Sequence, residues 1–212
     1  MMRMYLRFLA YLVLLVASFN AWSGAYEDFF RAVNTDDAST VEKLLARGFD
    51  PNSVDERGHV GLFIAAREDS PKVFDVLLSH PNIQVDITNA AGETPAMMAA
   101  LHGRAAWVGK LLQRGAQVNR EGWSPLHYAA CAADTAALDL LLQRGASTEV
   151  RSPNQTTPLM MAAMYGPEEA VEKLLAKGAD PSARNVQQMT AADFAARVGR
   201  DNLSKRLAAL LR

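Results

Sequence analysis

"GWSPLHYAAC", residues Gly122–Cys131, decides how the rest of the chain is read. Ser124 ahead of Pro125 is a helix start: a hydroxyl that can accept from free amides, then a ring with no N–H to leave unpaired. On a helix, His127 and Cys131 stand one turn apart, so an imidazole lies next to a thiol. Such a pair suits either a nucleophile with its base or two packing positions. A nucleophile also needs a third group to orient the base, and the nearest acid downstream, Asp134, is better placed to cap a helix starting at Thr135.

The stretch is one of a series. "TPAMMAA" at Thr94, "TPLMMAA" at Thr157 and the weaker "TAADFAA" at Thr190 repeat it, and "VGLFIAA" fills the same slot from Val60. The paired alanines leave room for neighbouring helices to approach closely. Downstream of each, a Leu-Leu pair recurs at 44, 77, 111, 141 and 174, in steps of 33, 34, 30 and 33. Val41, Phe74, Val108, Leu138 and Val171 precede the pairs by three residues, which makes the i, i+3, i+4 stripe of a helix with one buried side. Gly48, Gly115, Gly145 and Gly178 stand where a left-handed residue closes such a helix. Ser39 with Glu42, Ser70 before Pro71, and Pro167 before Glu168 mark further helix starts. Between units lie about ten residues without helical pattern, enough for a β-turn or a hairpin finger.

The order turn, Gly-x-Thr-Pro-Leu-His-x-Ala-Ala, second helix, Leu-Leu-x-x-Gly-Ala-Asp resembles the ankyrin repeat from about Tyr26 to Arg212. The resemblance implies an all-α fold of helix-turn-helix units with short β-hairpin fingers, stacked as a solenoid of five repeats and a C-terminal cap. The units are expected near 26–57, 58–91, 92–121, 122–155 and 156–188, with the cap at 189–212. It also implies that His127 is a structural residue bonded to neighbouring backbone, with Met97 and Met160 in the same slot. The first unit lacks the box, and Val60, Gly61, Phe63 and Ala191 depart from it. The step of 30 between Pro95 and Pro125 shortens one finger, "AQVNREGW", by three residues and should leave a notch in the row of tips.

The first 25 residues read differently. Arg3 and Arg7 precede an apolar run from Phe8 to Ala17, followed by the small residues Ala21, Ser23, Gly24 and Ala25. That order predicts a cleaved secretory signal, residues 1–25, with the cut after Ser23 or Ala25. The run is shorter than the ~20 residues of a bilayer span, so contact with the membrane would be transient. The rival expectation is an N-terminal anchor with the domain facing away from the cytoplasm. The periplasm is the simplest destination. One cysteine allows no internal disulfide. A net charge of -1 gives little electrostatic support to nucleic-acid binding.

No metal or cofactor is expected: the four histidines are spread along the chain without ligand spacing, and no phosphate-binding glycine loop occurs. The resemblance instead implies a protein partner, gripped by a monomer. Ankyrin-like proteins expose, on their concave side, the residues just past the box, here Leu101 and His102, Cys131, Met164 and Tyr165. The finger of the short unit adds Arg120, Glu121 and Trp123. Apolar and aromatic residues inside a charged rim suit a protein-binding face. The alternative is a thiol-dependent enzyme or redox protein using Cys131 with His127, or a mixed disulfide formed by Cys131.

Overall fold

The computed structural model describes residues 24–211. The expected leader, 1–25, lies outside the described residues except for Gly24 and Ala25, which belong to the first helix. Helix α1 covers 24–34 and α2 Ala38–Ala46. Four regular pairs follow: α3 Gly61–Glu68 with α4 Pro71–Ser79, α5 Pro95–Leu101 with α6 Ala105–Gln113, α7 Pro125–Ala129 with α8 Ala136–Gln143, and α9 Pro158–Tyr165 with α10 Glu168–Ala176. The cap is a further pair, α11 Ala191–Arg197 and α12 Asp201–Ala209.

Inner helices pack in file, α3 on α5, α5 on α7, α7 on α9 and α9 on α11, and each outer helix folds back on its own inner one. The box explains the close stacking. Ala65, Ala66, Ala99, Ala100, Ala129, Ala130, Ala162 and Ala163 are all buried, so small side chains line the contacts between inner helices. The leading leucine of each pair is buried and its successor is mostly half-buried, which makes the second leucine the edge of the stripe. Every stripe residue from Val41 to Val171 is buried, and Leu203 and Leu207 extend the series into the cap. The closing glycines at 48, 115, 145 and 178 all have positive φ.

The unusual box of the second unit has a cause. A Cβ on Gly61 would lie 3.0 Å from the Phe29 ring and 3.2 Å from Leu77, so the side chain of α1 occupies the space that proline fills elsewhere. Other expectations need correction. The start of α2 is capped by Asp37, whose carboxylate accepts from Thr40 N–H at 3.1 Å, not by Ser39 with Glu42. The carboxylate lies a residue or two closer to the start than the hydroxyl box and takes the amide first. At α4, Ser70 donates its hydroxyl to Val33 O instead of capping. Asp36 from the preceding unit accepts from Lys72 and Val73 N–H in its place, both at 2.9 Å. Asp134 does accept from Ala136 N–H, but the helix begins one residue later than expected.

The fingers are tight turns. Among the described residues they form no strand, only an isolated bridge between Val54 and Val60. Four of them share one design: Asp55, Asn89, Ser152 or Asn185 donates its N–H to the carbonyl of His59, Glu93, Thr156 or Met189, four residues on. Side chains then tie each finger to the next. Asn52 bonds both Asn82 O and Gln84 N, Asp86 accepts from Gln117 N–H, Asn119 bonds Gly145 O and Ser147 N, and Glu149 accepts from Asp180 N–H. The stack is therefore stapled by polar contacts along the fingers as well as by apolar burial between helices.

Candidate functional site

His127 is fully buried, and both ring nitrogens are engaged. Nδ1 accepts from Ser124 N–H at 3.2 Å with the Ser124 hydroxyl 3.0 Å away, and Nε2–H donates to Thr156 O at 2.9 Å. The acceptor at Thr156 is a carbonyl, so the proton sits on Nε2 and the ring is neutral. Burial, only partly offset by the Thr156 bond, lowers its pKa to about 4. In the flanking units the sulfurs of Met97 and Met160 take the same N-cap amide, each at 3.4 Å, and Asp193 does so in the cap. Only the imidazole has a second pole with which to reach the next unit.

Cys131 does not meet the imidazole. Helix α7 stops at Ala129, short of the expected end, and tightens into i→i−3 bonds, with Cys131 N–H donating to Tyr128 O at 3.0 Å. The thiol donates to the His127 backbone carbonyl at 3.4 Å, and burial pushes its pKa up to about 12. A thiol so protonated, beside a histidine with no free lone pair, lacks the geometry of nucleophile and base. Among the described residues no group of three His, Cys, Asp or Glu side chains is placed to hold a metal ion. No helix among them is long and apolar enough to cross a membrane.

The remaining candidates fall along the inner helices and fingers. Leu101 ends α5 at 36% exposure, and His102 caps it in solvent. Met164 is half-buried against the core, whereas Tyr165, ending α9, is 60% exposed. Arg200 of the cap fixes that corner by donating to the carbonyls of Ala162, Ala163 and Gly166 at 2.8 to 3.1 Å. Gly166 is obligatory there: a Cβ would lie 2.0 Å from Ala130 O. Neither residue stood out in the sequence, although a glycine directly after the exposed Tyr165 was the available signal.

At the shortened finger Trp123 takes the position that holds His59, Glu93 and Thr156 in neighbouring units. It is half-buried, edge-on to His127 with ring centroids 5.2 Å apart and to Tyr128 at 6.1 Å. Tyr128 donates to Glu93 at 2.7 Å, and Glu93 also receives the Asn89 side-chain amide. Burial and the Glu93 carboxylate both raise the Tyr128 pKa. Gly122 turns with positive φ, and the Pro153 ring of the next finger lies against it. Glu121 is exposed, Arg120 half-buried. Arg120, Glu121 and Trp123 thus share the shortened finger between the third and fourth units, with Leu101 and His102 on the third, Cys131 on the fourth, and Met164 and Tyr165 on the fifth.

Known proteins place this architecture. A family model for ankyrin repeats (three copies) matches residues 29–121, 62–152, 108–185 and 126–210. The chain is 30% identical over 125 residues to neurogenic locus notch homolog protein 1 of Xenopus tropicalis, and 32% identical over 117 residues to the human notch homolog protein 2. These alignments cover 58% and 54% of this chain but only 5% of either relative, so the likeness is to a small part of each. Among solved structures, a chain from the complex of the predatory endopeptidase Bd0816 of Bdellovibrio bacteriovorus with the immunity protein Bd3460 superposes with a TM-score of 0.71 at 25% identity. That alignment covers 86% of this chain and 97% of the other. With four overlapping matches running from Phe29 to Leu210, the chain belongs to the ankyrin repeat family.

Proposed function

We propose that the chain is a non-enzymatic, monomeric binding module that grips another protein through the side formed by its inner helices and fingers. Leu101, His102, Arg120, Glu121, Trp123, Cys131, Met164 and Tyr165 form the contact surface. The observation that carries this reading is Tyr165, a large aromatic left 60% exposed at the end of an inner helix whose other apolar residues are buried or half-buried. An exposed aromatic on a backbone corner that Arg200 fixes, with half-buried Trp123 and Met164 on the same side, has the composition of an interface anchor. The repeats supply shape without a dry cleft, and shape complementarity is what such a surface offers. Pull-down with the full chain tests it: replacing Trp123 and Tyr165 by alanine should lower recovery of the partner at least about tenfold. Unchanged recovery contradicts the assignment.

A narrower reading rests on the structural neighbour, which comes from a complex of an endopeptidase with an immunity protein and is aligned along 97% of its length. On that likeness the partner is an enzyme whose access to substrate the bound solenoid blocks. Inhibition of a co-purifying hydrolase by the purified chain supports this; a partner whose activity is unaffected contradicts it.

Export to the periplasm completes the proposal. Of the two cut positions, the one after Ser23 leaves α1 whole, including Ala25 packed on the core. N-terminal sequencing of the periplasmic fraction should read from Gly24. A full-length chain in the membrane fraction favours the anchored form, and a full-length chain in the cytoplasm overturns export.

A further inference from the structure

Four arginines in the described residues are half-buried: Arg67, Arg120, Arg151 and Arg200. Three of them are committed. Arg67 pairs with Glu68 and lies over the Phe63 ring, Arg151 donates to Gln155 O and Arg184 O, and Arg200 donates to three carbonyls. Arg120 makes no hydrogen bond or ion pair among the described residues, and its Nε is buried without a partner. Glu93 of the preceding finger is held by Tyr128 and Asn89, and the adjacent Glu121 forms no bond to Arg120. A guanidinium is never neutral at working pH and presents a planar fork shaped for a carboxylate. Its backbone is fixed, since the adjacent Asn119 is bonded to Gly145 O and Ser147 N of the next unit. It stands where the finger is three residues short, three positions from half-buried Trp123.

We infer that the shortened finger carries a carboxylate subsite, in which Arg120 receives an acidic side chain or chain-terminal carboxylate of the gripped protein while Trp123 covers the apolar group beside it. The inference rests on the proposed binding side and specifies the chemistry read there. On this reading the shortened finger serves the one half-buried guanidinium that has no partner among the described residues.

The test titrates the isotopically labelled full chain with three probes and follows the Arg120 Nε–H and Trp123 indole signals by NMR. The probes are acetyl-aspartyl-phenylalaninamide, acetyl-glycyl-phenylalanine with a free terminus, and the neutral acetyl-asparaginyl-phenylalaninamide. One acidic probe should shift both signals saturably and bind about tenfold tighter than the neutral one. Which acidic probe does so identifies a side-chain or a terminal carboxylate as the ligand. Arg120→Gln should abolish the preference, and Arg120→Lys should recover part of it. Equal binding of all three probes, shifting Trp123 only, overturns the carboxylate subsite and leaves the binding side standing. Silence at both residues overturns both.

Discussion

Two neighbouring units, the fourth with α7 and α8 and the fifth with α9 and α10, carry nearly the same text, "SPLHYAA" against "TPLMMAA", yet differ on one side only. Their outer helices have similar lengths and bury the same stripe, Leu138 and Leu141 against Val171 and Leu174. On the inner side α9 runs from Pro158 to Tyr165, whereas α7 ends at Ala129 and its finger is three residues short. The irregularities therefore gather on the side proposed to bind, while the packing side keeps the repeat. Packing tolerates little change because each unit must match two neighbours, whereas an exposed tip answers only to what it touches.

Four experiments break or sharpen that contrast. The largest effect concerns Cys131, the residue that a catalytic fourth unit would need. With its thiol pushed up to about 12 by burial, its alkylation by iodoacetamide at pH 8 should run roughly a thousandfold slower than that of an ordinary thiol. A rate near that of free cysteine would show the unit built for chemistry after all. Next is the seam between the two units. Gly166→Ala forces a Cβ to within 2.0 Å of Ala130 O, and should cost about 3 kcal/mol in chemical denaturation. A loss below about 1 kcal/mol would mean the inner helices are not seated as described.

His127→Met then converts the fourth unit's cap into the fifth's. The folded chain holds His127 neutral with a pKa of about 4, below its ordinary 6.5. Between these values the unfolded chain binds a proton that the folded chain does not, so stability is full above pH 6.5 and falls as the pH drops towards 4. The wild-type chain should lose up to about 3 kcal/mol across that window. The variant should show a much flatter profile there, at the cost of about 1 kcal/mol at neutral pH from the unpaired Thr156 carbonyl. Identical slopes would refute a buried neutral His127. The smallest effect is local: Arg200→Ala should destabilise by about 2 kcal/mol and speed amide exchange in residues 162–166 ahead of the rest of α9.

What could be read in advance was whatever repeats locally. The leucine ladder, the Ser/Thr-Pro starts and the closing glycines each follow from interactions within one turn of a helix, and all of them appear in the structure. What could not be read joins units thirty or more residues apart. Asp36 capping α4, Arg200 holding the end of α9, and Phe29 claiming the space at Gly61 are choices among several nearby residues that only the stacking settles. The same limit applied to the site. The resemblance predicts that Leu101, Trp123 and Tyr165 share one side, and the register of the repeat carries no more than that. That Trp123 half-folds against His127 and Tyr128, and that Arg120 stays unpaired among the described residues, depends on how the shortened finger meets its neighbours.

The central claim, that the inner and finger side of the third to fifth units is the gripping surface, is tested most directly by hydrogen exchange on the full chain with and without its captured partner. Slowed exchange at residues 101–102, 120–131 and 164–165, with the outer helices Ala136–Gln143 and Glu168–Ala176 unchanged, is the predicted footprint. Protection confined to those outer helices, with the fingers and inner-helix ends exchanging as before, would contradict it.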